Sequence, residues 1–166
     1  PLTVNQATNT SFSGAITDGY MTGAGDGAVW LIKDGAGTLT LSGHSAFSFT
    51  TVDGGTLAIA NGGTVANETS NLGNAAGSNG TVLVTGSGSV WSTDYLYLGY
   101  PGAGTLTVAD GGRVSIDTVD MAHASSGSGT LNLNGTTGAR GVLETGFAGG
   151  NRGVVTVNFD GGILRA

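Results

Sequence analysis

The sequence has little charge and no cysteine. Of its 166 residues, only five are Lys or Arg and 11 are Asp or Glu, so the formal net charge is −6 at pH 7. The absence of cysteine excludes disulfides, thiol catalysis and cysteine-based metal sites. Five scattered basic residues cannot neutralise a run of phosphates, which argues against nucleic acid as a partner.

Proline and long apolar runs are also scarce. No apolar stretch approaches about 18 residues, and the chain does not open on a basic stretch followed by an apolar one. We therefore expect neither a membrane helix nor a signal peptide within these residues. Glycine occurs 33 times without a three-residue period and proline only twice, which excludes a collagen-like chain.

What the sequence does contain is an internal repeat. A short segment of the type Gly-Thr-Leu-Thr-Leu, found at residues 37–41, returns five times with variations. The first apolar residues of the six copies are Leu39, Leu57, Val82, Leu106, Leu131 and Val155. One step of 18 residues is followed by four steps of 24 or 25, and periods of this length are typical of repeat architectures.

Each long unit contains three short segments in which apolar and polar residues alternate. In the unit that begins at Gly104, the alternating pairs are Leu106 and Val108, Val114 and Ile116, and Val119 and Met121. In the unit that begins at Gly80, Val90, Leu96 and Leu98 are the corresponding inward positions after the first strand. A period of two residues predicts strands, and no segment has the 3.6-residue period of a helix.

Stacked units would bury one continuous core, whereas separate hairpins would each lack one. We therefore predict an all-β chain folded as a right-handed parallel β-helix, or solenoid, of about six to seven rungs with roughly 24–25 residues per rung. An antiparallel sandwich or barrel would explain the short strands but not the period. We expect a single segment over residues 1–166, with an N-terminal rung or cap at 1–36, a short unit at 37–54 and regular repeats at 55–166.

Residues 33–43 and 52–59 together resemble the autotransporter-associated β-strand repeat of Gram-negative type V secretion passengers. Residues 86–108 and 131–166 are similar to repeats of large passenger stalks. The resemblance implies a β-helical passenger that is exported through the periplasm and through a C-terminal outer-membrane β-barrel of the same precursor, and that is displayed on the cell surface or secreted. The sequence departs from the family pattern after Gly43, where residues 44–49 differ from the residues that usually follow in this repeat.

The residues that could carry chemistry do not form a catalytic constellation. His44 and His123 lie in different units and have no metal-ligand spacing, and no serine has glycine on both sides as a nucleophile elbow requires. Asp or Asn precedes two glycines at residues 53–55, 61–63, 110–112 and 160–162, which predicts tight corners at one place in the unit rather than a cation site. We expect no catalytic residue, no metal and no cofactor.

The densest unusual feature is aromatic. Trp91, Tyr95, Tyr97 and Tyr100 lie within ten residues, and outward rings on a β surface can stack on sugars or anchor a protein. The alternative is that these rings only fill one side of an ordinary rung. Threonine pairs such as Thr105 and Thr107 resemble an ice-binding ladder only superficially, because Ala58, Leu83 and Asn132 occupy equivalent positions and break it.

These observations favour a non-enzymatic, cell-surface adhesin or self-association module, or the stalk that displays one. Its expected partners are a host-cell surface, a matrix protein, a glycan or an identical chain, with weak contacts multiplied by avidity. Two alternatives stay open. The chain can be the scaffold of a secreted protease or esterase whose active site lies outside these residues, or a segment whose folding assists export.

Overall fold

The computed structural model describes residues 1–17, 28–150 and 152–166, and within them it contains strands but no helix. The first eight strands are β1 (Leu2–Asn5), β2 (Thr10–Phe12), β3 (Trp30–Asp34), β4 (Thr38–Leu41), β5 (His44–Val52), β6 (Gly54–Ile59), β7 (Thr64–Leu72) and β8 (Asn79–Thr85). The others are β9 (Val90–Leu98), β10 (Ala103–Ala109), β11 (Arg113–Met121), β12 (Ser128–Thr136), β13 (Ala139–Arg140), β14 (Val142–Gly150), β15 (Val154–Asp160) and β16 (Ile163–Arg165).

The strands form two parallel sheets that the chain visits in turn. The first sheet has the order β1-β3-β5-β7-β9-β11-β14-β16, and the second contains β2, β4, β6, β8, β10, β12 and β15 in that order. The short β13 pairs antiparallel with the end of β12. Each circuit of the chain, called a coil below, therefore adds one strand to each sheet. The architecture is a β-solenoid of about six coils, which confirms the predicted fold class; its right-handed winding stays a prediction.

The repeat period produces the core because equivalent residues stack along the axis. In the second sheet, Leu57 is in register with Val82, Val82 with Leu106, and Leu106 with Leu131, and all four side chains are buried. Such a row of register partners, called a column below, is thus covered along the axis by the side chains of the neighbouring coils. The burial of these apolar side chains, each about 1.5–3 kcal/mol, is the main term that stabilises the fold.

The long strands of the first sheet are bent in the middle. In β9 the buried residues before the exposed Asp94 are Trp91 and Thr93, and those after it are Leu96 and Leu98. The alternation of buried and outward residues therefore shifts by one position at Asp94. The three alternating segments predicted for each unit therefore exist, but two of them are halves of one bent strand. The expectation that Val90 points inward was wrong, since Trp91 takes the buried position.

The last coil has a different register from the one that the repeat suggested. Val157, and not Val155, is the partner of Leu131, because β15 pairs with β12 two residues further along the chain. The corresponding step is 26 residues. The sequence prediction aligned Gly153 with the glycines that begin the earlier copies of the repeat. In the structure, Val155 occupies the position that glycine holds in the preceding coils.

Two of the four Asx residues that precede a glycine pair adopt the predicted left-handed backbone. Asn61 and Asp110 have φ values of 56° and 51°, and they lie where the chain passes from the second sheet to the first. Asp53 differs from the prediction, since it lies at the opposite passage, between β5 and β6, and accepts a hydrogen bond from the Asn74 amide at 2.6 Å. The four motifs therefore mark two corners of the coil and not one.

The only lysine of the chain lies inside the solenoid. Lys33 has no exposed surface, and its ammonium donates hydrogen bonds to the carbonyl oxygens of Asp34, Gly35 and Gly54 at 2.8, 2.8 and 3.0 Å. Burial lowers the pKa of Lys33, and the charge of Asp34 partly opposes that effect. The side chain thus ties two neighbouring coils together at the corner before β6.

Candidate binding surfaces

The structure separates Trp91 from the three tyrosines with which it was grouped. Trp91 is fully buried, and its indole nitrogen donates to the Asn67 side-chain oxygen at 2.9 Å. Asn67 in turn donates to Ser70 and Thr93, so the indole belongs to a hydrogen-bonded network inside the core. Because the bend at Asp94 reverses which residues of β9 face inward, Trp91 cannot be part of an outer face that includes Tyr95 and Tyr97.

Tyr95, Tyr97 and Tyr100 do form one cluster on the outer wall, and His123 joins it from the next coil. The ring centres of Tyr97 lie 4.9 Å from Tyr95, 5.5 Å from Tyr100 and 5.7 Å from His123. Tyr100 and His123 are 4.6 Å apart. We call these four residues the tyrosine–histidine cluster. Its rings are half-buried to exposed, so part of each ring remains open to a ligand.

A carboxylate lies beside the cluster. Asp120 is the register partner of Tyr97, and its Oδ2 is 2.5 Å from Nδ1 of His123. Burial is the main cause that raises the pKa of Tyr97, and the neighbouring Tyr95, Asp120 and Tyr100 add to it. These effects favour the protonated phenol of Tyr97, which can donate a hydrogen bond to a ligand.

The sequence pattern did not predict the place of His123. It lies 23 residues after Tyr100, which is close to one coil, so the period could have placed the two residues side by side. The other histidine is elsewhere: His44 lies on β5, exposed, with Nδ1 2.7 Å from the Thr64 hydroxyl.

The cluster belongs to a longer series of outward positions just after the bend of the first sheet. These register partners are Trp30, Phe49, Thr69, Tyr95, Thr118 and Phe147, one from each successive coil. Four of the six are aromatic, and Trp30 packs edge-on against Phe49 at 4.9 Å. Threonines flank Tyr95 directly in this column, so its other aromatic residues lie two or more coils away from the cluster.

A second regular surface lies on the outside of the second sheet. One outward column consists only of threonine over six coils: Thr38, Thr56, Thr81, Thr105, Thr130 and Thr156. The interruption predicted from Ala58, Leu83 and Asn132 is present, but it affects only the adjacent column. The predicted break of the two-column threonine ladder is therefore confirmed, and the first column by itself is continuous.

The described residues do not form a metal centre. No group of three or more His, Asp or Glu side chains among them could hold an ion. A shallow depression with charged walls lies between Asp117, Glu144 and Arg165, and there Arg165 donates to the Glu144 carboxylate at 2.9 Å. No helix in the described part of the chain could cross a membrane.

Comparison with known proteins agrees with this architecture. A family model described as a passenger-associated-transport-repeat matches residues 31–59, which span β3 to β6 and include the buried Lys33. Neither the curated proteins nor the solved structures contain a match. The matched repeat and the solenoid together fit an autotransporter passenger with β repeats.

Proposed function

We propose that this segment of an autotransporter passenger is a non-enzymatic adhesive module, and that the tyrosine–histidine cluster is its contact surface for a glycan. The matched repeat supports a passenger segment that is secreted by the type V route. The observation that carries the adhesive role is the meeting of three tyrosines and a histidine from adjacent coils on the outer wall, with ring centres 4.6–5.7 Å apart.

The chemistry of the cluster suits a sugar. Exposed aromatic faces stack on the C–H surface of a pyranose ring, and Tyr and His ring edges carry polar groups for its hydroxyls. The Asp120 carboxylate, which contacts His123 through Oδ2, holds that ring beside the tyrosines. A shallow surface of this kind binds one sugar weakly, and many copies on one cell convert weak contacts into firm attachment.

The test is binding of the purified chain, coupled to beads, to a glycan array and to cultured epithelial cells. We expect a subset of glycans to bind, and we expect Tyr97→Ala and His123→Ala to reduce that binding at least tenfold. His44→Ala is the matched control, since it removes the other histidine from an exposed site outside the cluster. Equal losses in His123→Ala and His44→Ala, or no binding to glycans and cells, would contradict the adhesive role.

Surface display is the second part of the proposal. The segment would reach the outside through the outer-membrane β-barrel of its own precursor. Antibodies against residues 1–166 should label intact cells that express the full precursor, and added protease should remove the label. Labelling only after the outer membrane is permeabilised would argue against display.

A further inference from the structure

The charged side chains of the solenoid are distributed unevenly between the two sheets. The strands of the first sheet carry nine charged residues. Three are basic, namely Lys33, Arg113 and Arg165, and six are acidic: Asp34, Glu68, Asp94, Asp117, Asp120 and Glu144. The seven parallel strands of the second sheet carry one charged residue, Asp160, at the end of β15. With a net charge of −6, two copies that approach through the first sheet bring carboxylates together. The second sheet lets them meet without that repulsion.

The outer side of the second sheet, from β4 to β15, is called the threonine face below. Some of its polar groups, those of Thr107, Asn132 and Asn158 in the column beside the threonines, already have partners within the chain, which lowers the cost of removing water from that part of the face. Asn158 donates to Asn132 at 2.8 Å, and Asn132 donates to Thr107 at 3.1 Å. The threonine methyl groups and the half-buried Leu83 supply apolar surface between these groups. Such a face resembles an interface core, which is depleted of charge.

The size of the face matches what a specific pair needs. Six strands spaced about 4.8 Å apart span about 29 Å along the axis, and strands of about seven residues are about 23 Å long. A face of these dimensions contributes about 600 Å² or slightly more per copy, so a pair buries about 1,200–1,300 Å² in total. That area is at the low end of specific protein interfaces, which fits weak, reversible association.

We propose that the threonine face is the site at which a second copy of this chain binds, face to face, as an isologous pair. Because both copies present the same column, each threonine near the two-fold axis meets an equivalent residue of the partner, and their hydroxyls can both donate and accept. This inference goes beyond the adhesive function proposed above, since it uses a different wall of the solenoid and leaves the tyrosine–histidine cluster open.

The test is sedimentation equilibrium of the purified chain over a concentration series at low and high salt. We expect a monomer–dimer equilibrium in which salt does not weaken the dimer. Thr105→Glu places a carboxylate at the centre of the face, where it meets its own copy in the partner, and should raise the dissociation constant at least tenfold. Ser115→Glu adds the same charge at an exposed position of β11 in the first sheet and should change it less than twofold.

Two further variants separate this mode of association from the others that the structure allows. Val157→Glu changes an inward position of the last coil that is 43% exposed, so it disrupts stacking of copies end to end. Tyr97→Ala disrupts association through the tyrosine–histidine cluster. The proposal is overturned if the chain is monomeric throughout, if Thr105→Glu dimerises like the unmodified chain, or if only Val157→Glu or Tyr97→Ala abolishes the dimer. Circular dichroism melting confirms that each variant is folded.

Discussion

At the scale of single residues, the interior of this solenoid is less apolar than its repeat suggests. Trp91, Asn67, Ser70 and Thr93 form a hydrogen-bonded network in the core, and Lys33 is buried without a carboxylate bonded to its ammonium. Buried polar groups are tolerated when they are satisfied, and an unsatisfied group costs about 1–3 kcal/mol. Lys33 meets this condition because three backbone oxygens occupy its three protons.

The burial of Lys33 predicts how the folded chain reacts with an acylating reagent. In the folded chain only the N-terminal amine should be acetylated, and in about 6 M guanidinium, which unfolds the protein, both amines should react. Mass spectrometry distinguishes one added acetyl group from two. Replacement by Lys33→Met should lower the free energy of unfolding by about 2–4 kcal/mol, because three carbonyl oxygens lose the hydrogen bond from the ammonium, and of these the Asp34 oxygen keeps the Gln6 amide as a donor. Acetylation of Lys33 at the rate seen in the unfolded chain would contradict this account.

The raised pKa of Tyr97 predicts a pH dependence of stability. A group whose pKa is higher in the folded state contributes stability below its unfolded pKa of about 10, and that contribution is lost as the pH rises through the folded pKa. Urea unfolding between about pH 9 and about pH 11 should therefore show stability falling more steeply for the unmodified chain than for Tyr97→Phe. Parallel curves would show that the environment of Tyr97 does not resist ionisation.

At the scale of elements, glycine sets how closely successive coils approach. Gly55, Gly80, Gly104 and Gly129 are register partners at the start of the strands in the second sheet. A Cβ atom at Gly104 would lie 2.5 Å from the Gly99 nitrogen and 2.6 Å from the Leu72 oxygen, and both are backbone atoms that cannot move aside. The repeated glycine is therefore a packing requirement of the chain path.

Gly104→Ala tests this requirement. We expect a loss of about 2–4 kcal/mol in the free energy of unfolding, measured by urea denaturation, because the added methyl group must displace backbone. Gly146→Ala is the matched control, since its Cβ would meet only the Asp117 oxygen at 3.1 Å, and it should cost about 1 kcal/mol or less. Similar losses in the two variants would assign the effect to general glycine replacement.

At the scale of the whole molecule, the solenoid is a one-dimensional stack in which each coil contacts only its neighbours. Stability in such a stack is a sum of coil and interface terms, so coils at the ends have fewer stabilising contacts. The last coil shows this directly, because Val157 and Phe159 are 43% and 58% exposed, whereas their partners Leu131 and Leu133 are buried.

Hydrogen exchange should report this gradient in the purified chain. Backbone amides of β8 to β11 should exchange slowest, and those of β1, β2, β15 and β16 fastest, because the terminal coils open without the rest. Exchange followed by mass spectrometry, with fragments assigned to single strands, measures the order. Uniform protection across all coils would show that the chain unfolds as one cooperative unit.

The sequence alone was sufficient to predict the β-solenoid and the stacking of most equivalent strands, because a 24–25-residue period and a two-residue alternation leave few other ways to bury the apolar side chains. The Asx-Gly motif predicted the left-handed backbone correctly at Asn61 and Asp110. The family resemblance was likewise visible in residues 33–59. Only the tertiary structure decided where Trp91 points, which register β15 adopts and that His123 joins Tyr97 and Tyr100. The bend at Asp94 shifts the inward–outward alternation by one residue, and this shift decides where Trp91 points. The register of β15 and the position of His123 depend on the number of residues in each coil. Local sequence patterns encode neither of these features.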